Sequence, residues 1–302
     1  MIFVLLFVAL LIAGFFIAGK LLDMEAERLI DQCYPRNKEG IIDGAESFYR
    51  INQKKKALIL FHGYLTSPAI FQDLANENGL NNHYDIYAPL LPYCGRDLKA
   101  CKKLTPQIAM NFMQKKIEGL SKQYESVVVL AFSYSGTCMI KLMKERLVPE
   151  NCRVVLYSPI IFTSRNTFLF RGYLFLYSFW RKYCNYEVMG ANLPDYCTGD
   201  EEIRSYLEYR ISLRYQVLPP LIKIMKLAGE IKRDFFKLER SFSLIAAKND
   251  TVVNFEKIKE ACEKNPNAHL HAIMEGKHLC HLGKDKENFK KLLIQIGEGE
   301  IE

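Results

Sequence analysis

The sequence predicts an α/β fold: a mostly parallel sheet with helices on both faces. Three observations carry this. Short apolar or β-branched runs alternate with helical segments through most of the chain. Two of the runs, 57–61 (ALILF) and 126–132 (SVVVLAF), are apolar almost throughout, as strands buried on both faces must be. The second of them stops at a tight turn, 133–136, that opens directly into a helix.

Bulk composition sets the frame. The 302 residues are 49% hydrophobic and 25% charged, which excludes a disordered chain and a many-span membrane protein. The apolar residues are unevenly spread. The first 19 residues, MIFVLLFVALLIAGFFIAG, carry no charged side chain. As a helix they reach ~28 Å, close to one bilayer core. A cleaved signal peptide has a basic start and a shorter apolar stretch; a buried helix is the other alternative. The expectation is an uncleaved single-pass N-terminal anchor in a membrane. Lys20, Arg28, Arg36 and Lys38 all lie on the C-terminal side of this uncharged run, which favours a cytoplasmic C-terminal domain. The nine cysteines form no CxxC pair and no even framework, which agrees with a reducing compartment. Net charge is +7. No arginine-rich block or RNA-binding aromatic signature accompanies it, so no nucleic-acid partner is expected. A basic surface near a membrane would instead meet anionic headgroups.

Along the chain, residues 1–22 read as the transmembrane anchor and 23–45 as a helical stalk and linker. Strands are expected at 46–51, 57–61, 84–88, 126–132, 153–157, 242–246 and 268–274. Helices are expected near 68–76, 107–123, 137–145 and 285–296. Residues 46–160 and 241–302 form the two parts of one core. Between them, 161–240 reads as an inserted helical cap without a convincing strand. Its first 30 residues hold ten aromatics, including the only Trp, Trp180. The insert counts 13 Lys and Arg against 9 Asp and Glu, so it carries +4 of the net charge.

Chemistry concentrates in three places. In VVVLAFSYSG, a nucleophile at the strand-to-helix turn needs small residues two before and two after it. For Ser133 those are Ala131 and Ser135, with Gly136 next. Ser135 is a rival nucleophile, but it sits farther into the helix; a helix-capping Ser133 is the bland alternative. A nucleophilic Ser needs a base, and the base needs an orienting carboxylate. Asp250 follows an apolar strand in SLIAAKNDTVVN, 117 residues after Ser133 (250 − 133). His278 follows the last strand in EGKHLCHLGKD, with Gly276 letting the loop turn before it. His281 lies one turn on and reads as a bystander; His269 and His271 lie within the strand and read as structural. Two backbone donors are then required for a developing oxyanion. Tyr134 N–H follows the nucleophile, and Tyr64 N–H lies in the loop of LILFHGYLTSP. His62 and Gly63 read as residues that shape that loop. The cluster His278, Cys280 and His281 contains metal-ligand types but lacks a second pair, so no metal is expected. No phosphate-cradling glycine loop is present, so no cofactor is expected.

LILFHGYL, VVVLAFSYSG, LIAAKNDTVV and EGKHLCHLGKDKENF, in this order, resemble the α/β-hydrolase superfamily over residues 45–298. The chain looks closest to bacterial carboxylesterases and monoacylglycerol lipases with a helical cap. The resemblance implies a serine hydrolase with Ser133, Asp250 and His278 as its catalytic residues. The chain departs from G-x-S-x-G at Ala131 and Ser135. An aromatic cap implies a hydrophobic acyl chain, although Phe168, Phe170, Phe175 and Phe179 could instead pack the cap's own core. The expected substrate is a monoacylglycerol, lysophospholipid or similar lipid-like ester. A thioesterase of the same fold and a catalytically inactive binding module are the rival readings. Oligomeric state is not legible.

Overall fold

The computed structural model describes residues 2–76, 80–163, 188–190 and 215–301. A seven-stranded sheet forms its centre, in the order β1-β3-β2-β4-β5-β8-β9. The strands are β1 (Phe48–Arg50), β2 (Lys56–Phe61), β3 (Asp85–Ala88), β4 (Ser126–Phe132), β5 (Cys152–Tyr157), β8 (Phe242–Ala247) and β9 (Ala268–Ile273). Only β1 runs antiparallel, pairing Phe48 with Ala88 at one edge. The rest are parallel, so their carboxyl ends lie along one edge of the sheet, where open α/β sheets place their ligands.

The unbroken apolar runs are explained by two covered faces. Alternate residues of a strand point to opposite sides. Ala57, Ile59 and Phe61 of β2, with Val127, Val129 and Ala131 of β4, enter one core cluster. That cluster is closed by α5 (Pro106–Ser121), α6 (Tyr134–Lys144), α7 (Leu218–Phe235) and α8 (Phe255–Glu263). Leu58 and Leu60, with Val128, Leu130 and Phe132, point the other way. There they meet α2 (Gln72–Asn76), α3 (Leu80–His83) and α9 (Lys286–Glu298). Helix starts follow local chemistry. Thr105 caps α5 by accepting from the Ile108 amide at 3.2 Å, with Pro106 beside it, and Asn254 caps α8 from the Lys257 amide at 3.0 Å. The short α4 (Leu98–Cys101) is capped the same way by Asp97.

The N-terminal helix α1 runs unbroken from Ile2 to Cys33. Its stretch Ile2–Arg28 is long and apolar enough to cross a membrane, and 6% of its most apolar window is buried. That low burial sets it apart from a core helix. Its later turns do touch the domain: Ala26 joins Tyr34, Ile41, Ile42 and Ala45 in a cluster with Leu65, Leu98, Cys101 and Val217. The segment read as a linker therefore lies against the core at these residues.

Most of the expected cap, 164–187 and 191–214, lies outside the described residues. What flanks it differs from the all-helical expectation. β6 (Val188–Gly190) and β7 (Tyr215–Val217) pair antiparallel, Met189 opposite Gln216. Three-residue strands are too short for a period of two to register in the sequence. Cys94, Cys101, Cys138, Cys152, Cys262 and Cys280 are buried free thiols, packing as small apolar side chains.

Candidate active site

β4 and the start of α6 set the geometry. The strand ends at Phe132, paired with Tyr157 of β5, and α6 begins at Tyr134, earlier than expected. Ser133 alone makes the turn, with φ 53° and ψ −111°, a backbone conformation costly for a side-chain-bearing residue. Its amide donates to the Tyr157 carbonyl at 2.8 Å, which pins the turn to β5. The fold thus keeps strain at the position expected to carry the nucleophile.

His278 lies beyond β9 and meets Ser133 across the sheet edge. The Ser133 hydroxyl donates to His278 Nε2 at 3.0 Å. His278 Nδ1–H donates to Asp250 Oδ2 at 2.7 Å. The carboxylate fixes this tautomer because it can only accept. Asp250 is itself held: its Oδ1 accepts from the Val252 amide at 2.7 Å and the Val253 amide at 3.0 Å. Burial pushes its pKa up, but the adjacent His278 and these two amides outweigh burial, and the carboxyl sits below its ordinary value. All three side chains are buried.

The loop after β2 packs directly on this group. A Cβ added to Gly63 would stand 3.1 Å from both the Ser133 Cβ and the Phe132 ring, so a side chain there would crowd the serine and the ring. His62 is fully buried and holds the loop in place. Its Nε2 accepts from the Leu91 amide at 3.0 Å, and its Nδ1–H donates to the Gly63 carbonyl at 2.9 Å. Burial lowers its pKa to about 4, so the ring is neutral near pH 7. Both nitrogens are engaged, which leaves His62 no capacity to act as a base. Tyr134 is the first residue of α6, and a helix gives its first N–H groups no internal acceptor. Ser135, the rival serine, is the second residue of α6, and its hydroxyl is committed to the His62 carbonyl at 2.5 Å.

The histidine loop turns at Gly276 and has further supports that sequence reasoning missed. A Cβ on Gly276 would stand 2.3 Å from the Cys280 Cβ, so the close turn requires glycine. Asp285 Oδ2 accepts from the amides of Glu275 and Gly276 at 2.9 and 3.1 Å. The Tyr157 hydroxyl lies 3.0 Å from the His278 carbonyl and 3.0 Å from His281 Nδ1. His281 Nε2–H donates to the Ile70 carbonyl at 2.8 Å. His281 is therefore a tie within the loop. Burial lowers its pKa to about 4. Among the described residues, no group of three His, Cys, Asp or Glu side chains is placed to hold a metal ion.

No protein-family model and no curated protein matches the sequence. Solved structures do match the fold. A metagenome-derived lipolytic enzyme superposes with a TM-score of 0.69 at 14% identity, covering 86% of this chain and 99% of its own. The monoacylglycerol lipase of Paleococcus ferrophilus gives 0.66 at 13% identity, covering 84% and 99%. A soluble variant of the monoglyceride lipase of Saccharomyces cerevisiae gives 0.64 at 12% identity, covering 83% and 96%. With its single antiparallel edge strand, parallel core and loop-borne site, the chain has the α/β-hydrolase fold.

Proposed function

We propose that the chain is a membrane-tethered serine hydrolase that cleaves carboxylic esters of lipid-like substrates through an acyl-enzyme. The observation that carries this reading is the hydrogen-bonded series Asp250–His278–Ser133, with Ser133 held strained at the end of β4. Such a series makes a hydroxyl nucleophilic.

In the proposed reaction Ser133 Oγ attacks the ester carbonyl while His278 Nε2 takes its proton. Asp250 stabilises the imidazolium that forms. The amides of Tyr64 and Tyr134 donate to the oxyanion; such donors count most where water is excluded. The tetrahedral species collapses, the C–O bond to the alcohol breaks, and His278 returns the proton to that alcohol. Water then attacks the acyl-enzyme by the same route, releasing the acid and regenerating Ser133.

Two features support a lipid-like ester. The N-terminal helix is long and apolar enough for a bilayer, which would place the domain beside dissolved lipid. Similar solved structures include a monoacylglycerol lipase and a monoglyceride lipase. Monoacylglycerols and lysophospholipids are the proposed class, with the catalytic domain on the cytoplasmic side. The test is hydrolysis of p-nitrophenyl esters and monoacylglycerols of increasing chain length. The proposal expects a clear preference for long acyl chains, abolished by Ser133→Ala. Activity blind to chain length contradicts the substrate class, and activity surviving Ser133→Ala contradicts the mechanism.

A further inference from the structure

Tyr64 does more than carry a backbone amide. Its hydroxyl donates to the Val217 carbonyl at 2.5 Å and accepts from the Val217 amide at 3.1 Å. Val217 ends β7, a strand within the expected cap that leads into α7. One side chain thus spans from the loop beside Ser133 to both backbone groups of one cap-side residue. The Tyr64 ring also stands edge-on to Tyr134, with centroids 6.5 Å apart at 74°. The two residues whose amides are proposed to bind the oxyanion are therefore in contact through their rings.

The next residue needs this support. Leu65 has φ 58°, the left-handed region that a branched side chain adopts only under constraint. The constraint is visible: Leu65 is buried in the cluster that contains Ala26 of α1 and Val217, with Leu22 and Tyr64 packed against it. α1 also lies against β6, the partner strand of β7. The chain of contact runs from α1 to the cap-side strands, and from there through Tyr64 and Leu65 to the loop beside Ser133.

We propose that the Tyr64 side chain is a positioning residue that holds the oxyanion loop in register by its bond to Val217, and that the later turns of α1 belong to the same support. The N-terminal helix then contributes to turnover as well as to tethering. The assignment rests on the serine-hydrolase reading above. An amide aimed at a developing charge loses its effect when it is displaced by about 1 Å. The effect therefore falls on the transition state and leaves ground-state binding little changed.

The experiment compares the full-length wild type with Tyr64→Phe and Ala26→Leu in detergent, using a water-soluble p-nitrophenyl ester and a fluorophosphonate probe. Tyr64→Phe removes one oxygen and keeps the amide. Its kcat is expected to fall about tenfold, with KM within about twofold, and Ser133 labelling to slow in parallel. Ala26→Leu overfills a fully buried site on α1, remote from the reacting atoms. Its kcat is expected to fall at least about threefold on the same soluble ester. A Tyr64→Phe variant that melts like the wild type and keeps its kcat overturns the proposal, as does one in which only KM rises. If Tyr64→Phe fails to fold, an unchanged kcat in Ala26→Leu overturns the proposal by itself. A wild type that neither turns over nor labels at Ser133 overturns the hydrolase reading and this assignment with it.

Discussion

The Ser135 hydroxyl donates to the His62 carbonyl at 2.5 Å, tying the start of α6 to the loop after β2. This gives a physical reason for the departure from G-x-S-x-G. The position two after the nucleophile has room for a side chain, and that side chain bonds the loop expected to supply an oxyanion donor. The position that forbids a side chain is one farther on. A Cβ on Gly136 would stand 2.9 Å from the Ala131 carbonyl and 3.0 Å from Pro159. Ser135→Gly, which restores the glycine of G-x-S-x-G, is expected to lower stability by about 1–3 kcal/mol, from the carbonyl left unpaired and from glycine's helix cost. Chemical denaturation checks this, and an unchanged or raised midpoint contradicts it.

Ser133 is predicted to trade stability for activity. Its φ of 53° with ψ −111° suits glycine far better than serine. Ser133→Gly is expected to abolish ester hydrolysis while raising stability by about 1 kcal/mol; Ser133→Ala abolishes hydrolysis without that gain. Thermal melts of the two variants side by side decide the matter. Equal melting temperatures would show that the turn is unstrained.

Asp250→Asn keeps the shape of the side chain and removes its ability to be an acceptor only. An amide NH₂ facing His278 Nδ1 favours the tautomer whose Nε2 carries the proton, so the Ser133 hydroxyl loses its acceptor. The expected loss in kcat is about three to four orders of magnitude with little change in KM. Steady-state kinetics reads it directly, and a loss below about tenfold would mean Asp250 is not the orienting group.

Buried neutral histidines make stability depend on acid. The pKa values of His62 and His281 are lowered by burial to about 4. In the unfolded chain each is near 6.5, so between these values the unfolded state binds more protons than the folded one. Stability is then full above about pH 6.5 and is lost as pH falls toward 4, at most by on the order of 3 kcal/mol for each ring. Melting temperature measured from pH 7.5 to 4.5 is expected to fall steadily below pH 6.5. Replacing His281 with Asn should flatten part of that fall, and a profile flat to pH 4.5 contradicts this account.

The parallel strands were legible because two-sided burial leaves no polar alternation to confuse them. β2, β4, β5, β8 and β9 fall where their apolar runs lie. The meeting of Ser133, Asp250 and His278 was legible from order along the chain, since each follows a strand of one sheet. The supports were less legible. Tyr157 reaches the histidine loop across 121 residues, and Tyr64 reaches Val217 across 153; single side chains at such separations leave no local pattern. β6 and β7 leave no sequence signal, because three residues cannot show a period. α6 starts at Tyr134, earlier than the sequence suggests, because Ser133, Ser135 and Gly136 read as turn residues and helix packing overrides that preference.

The most direct test of the central claim is covalent labelling by a fluorophosphonate probe, which reacts only with an activated serine. The purified full-length chain in detergent is treated, digested and mapped by mass spectrometry. The account predicts one adduct, on the peptide containing Ser133, lost in Ser133→Ala and strongly slowed in Asp250→Asn. An unlabelled wild type, or an adduct on Ser135 in place of Ser133, contradicts it.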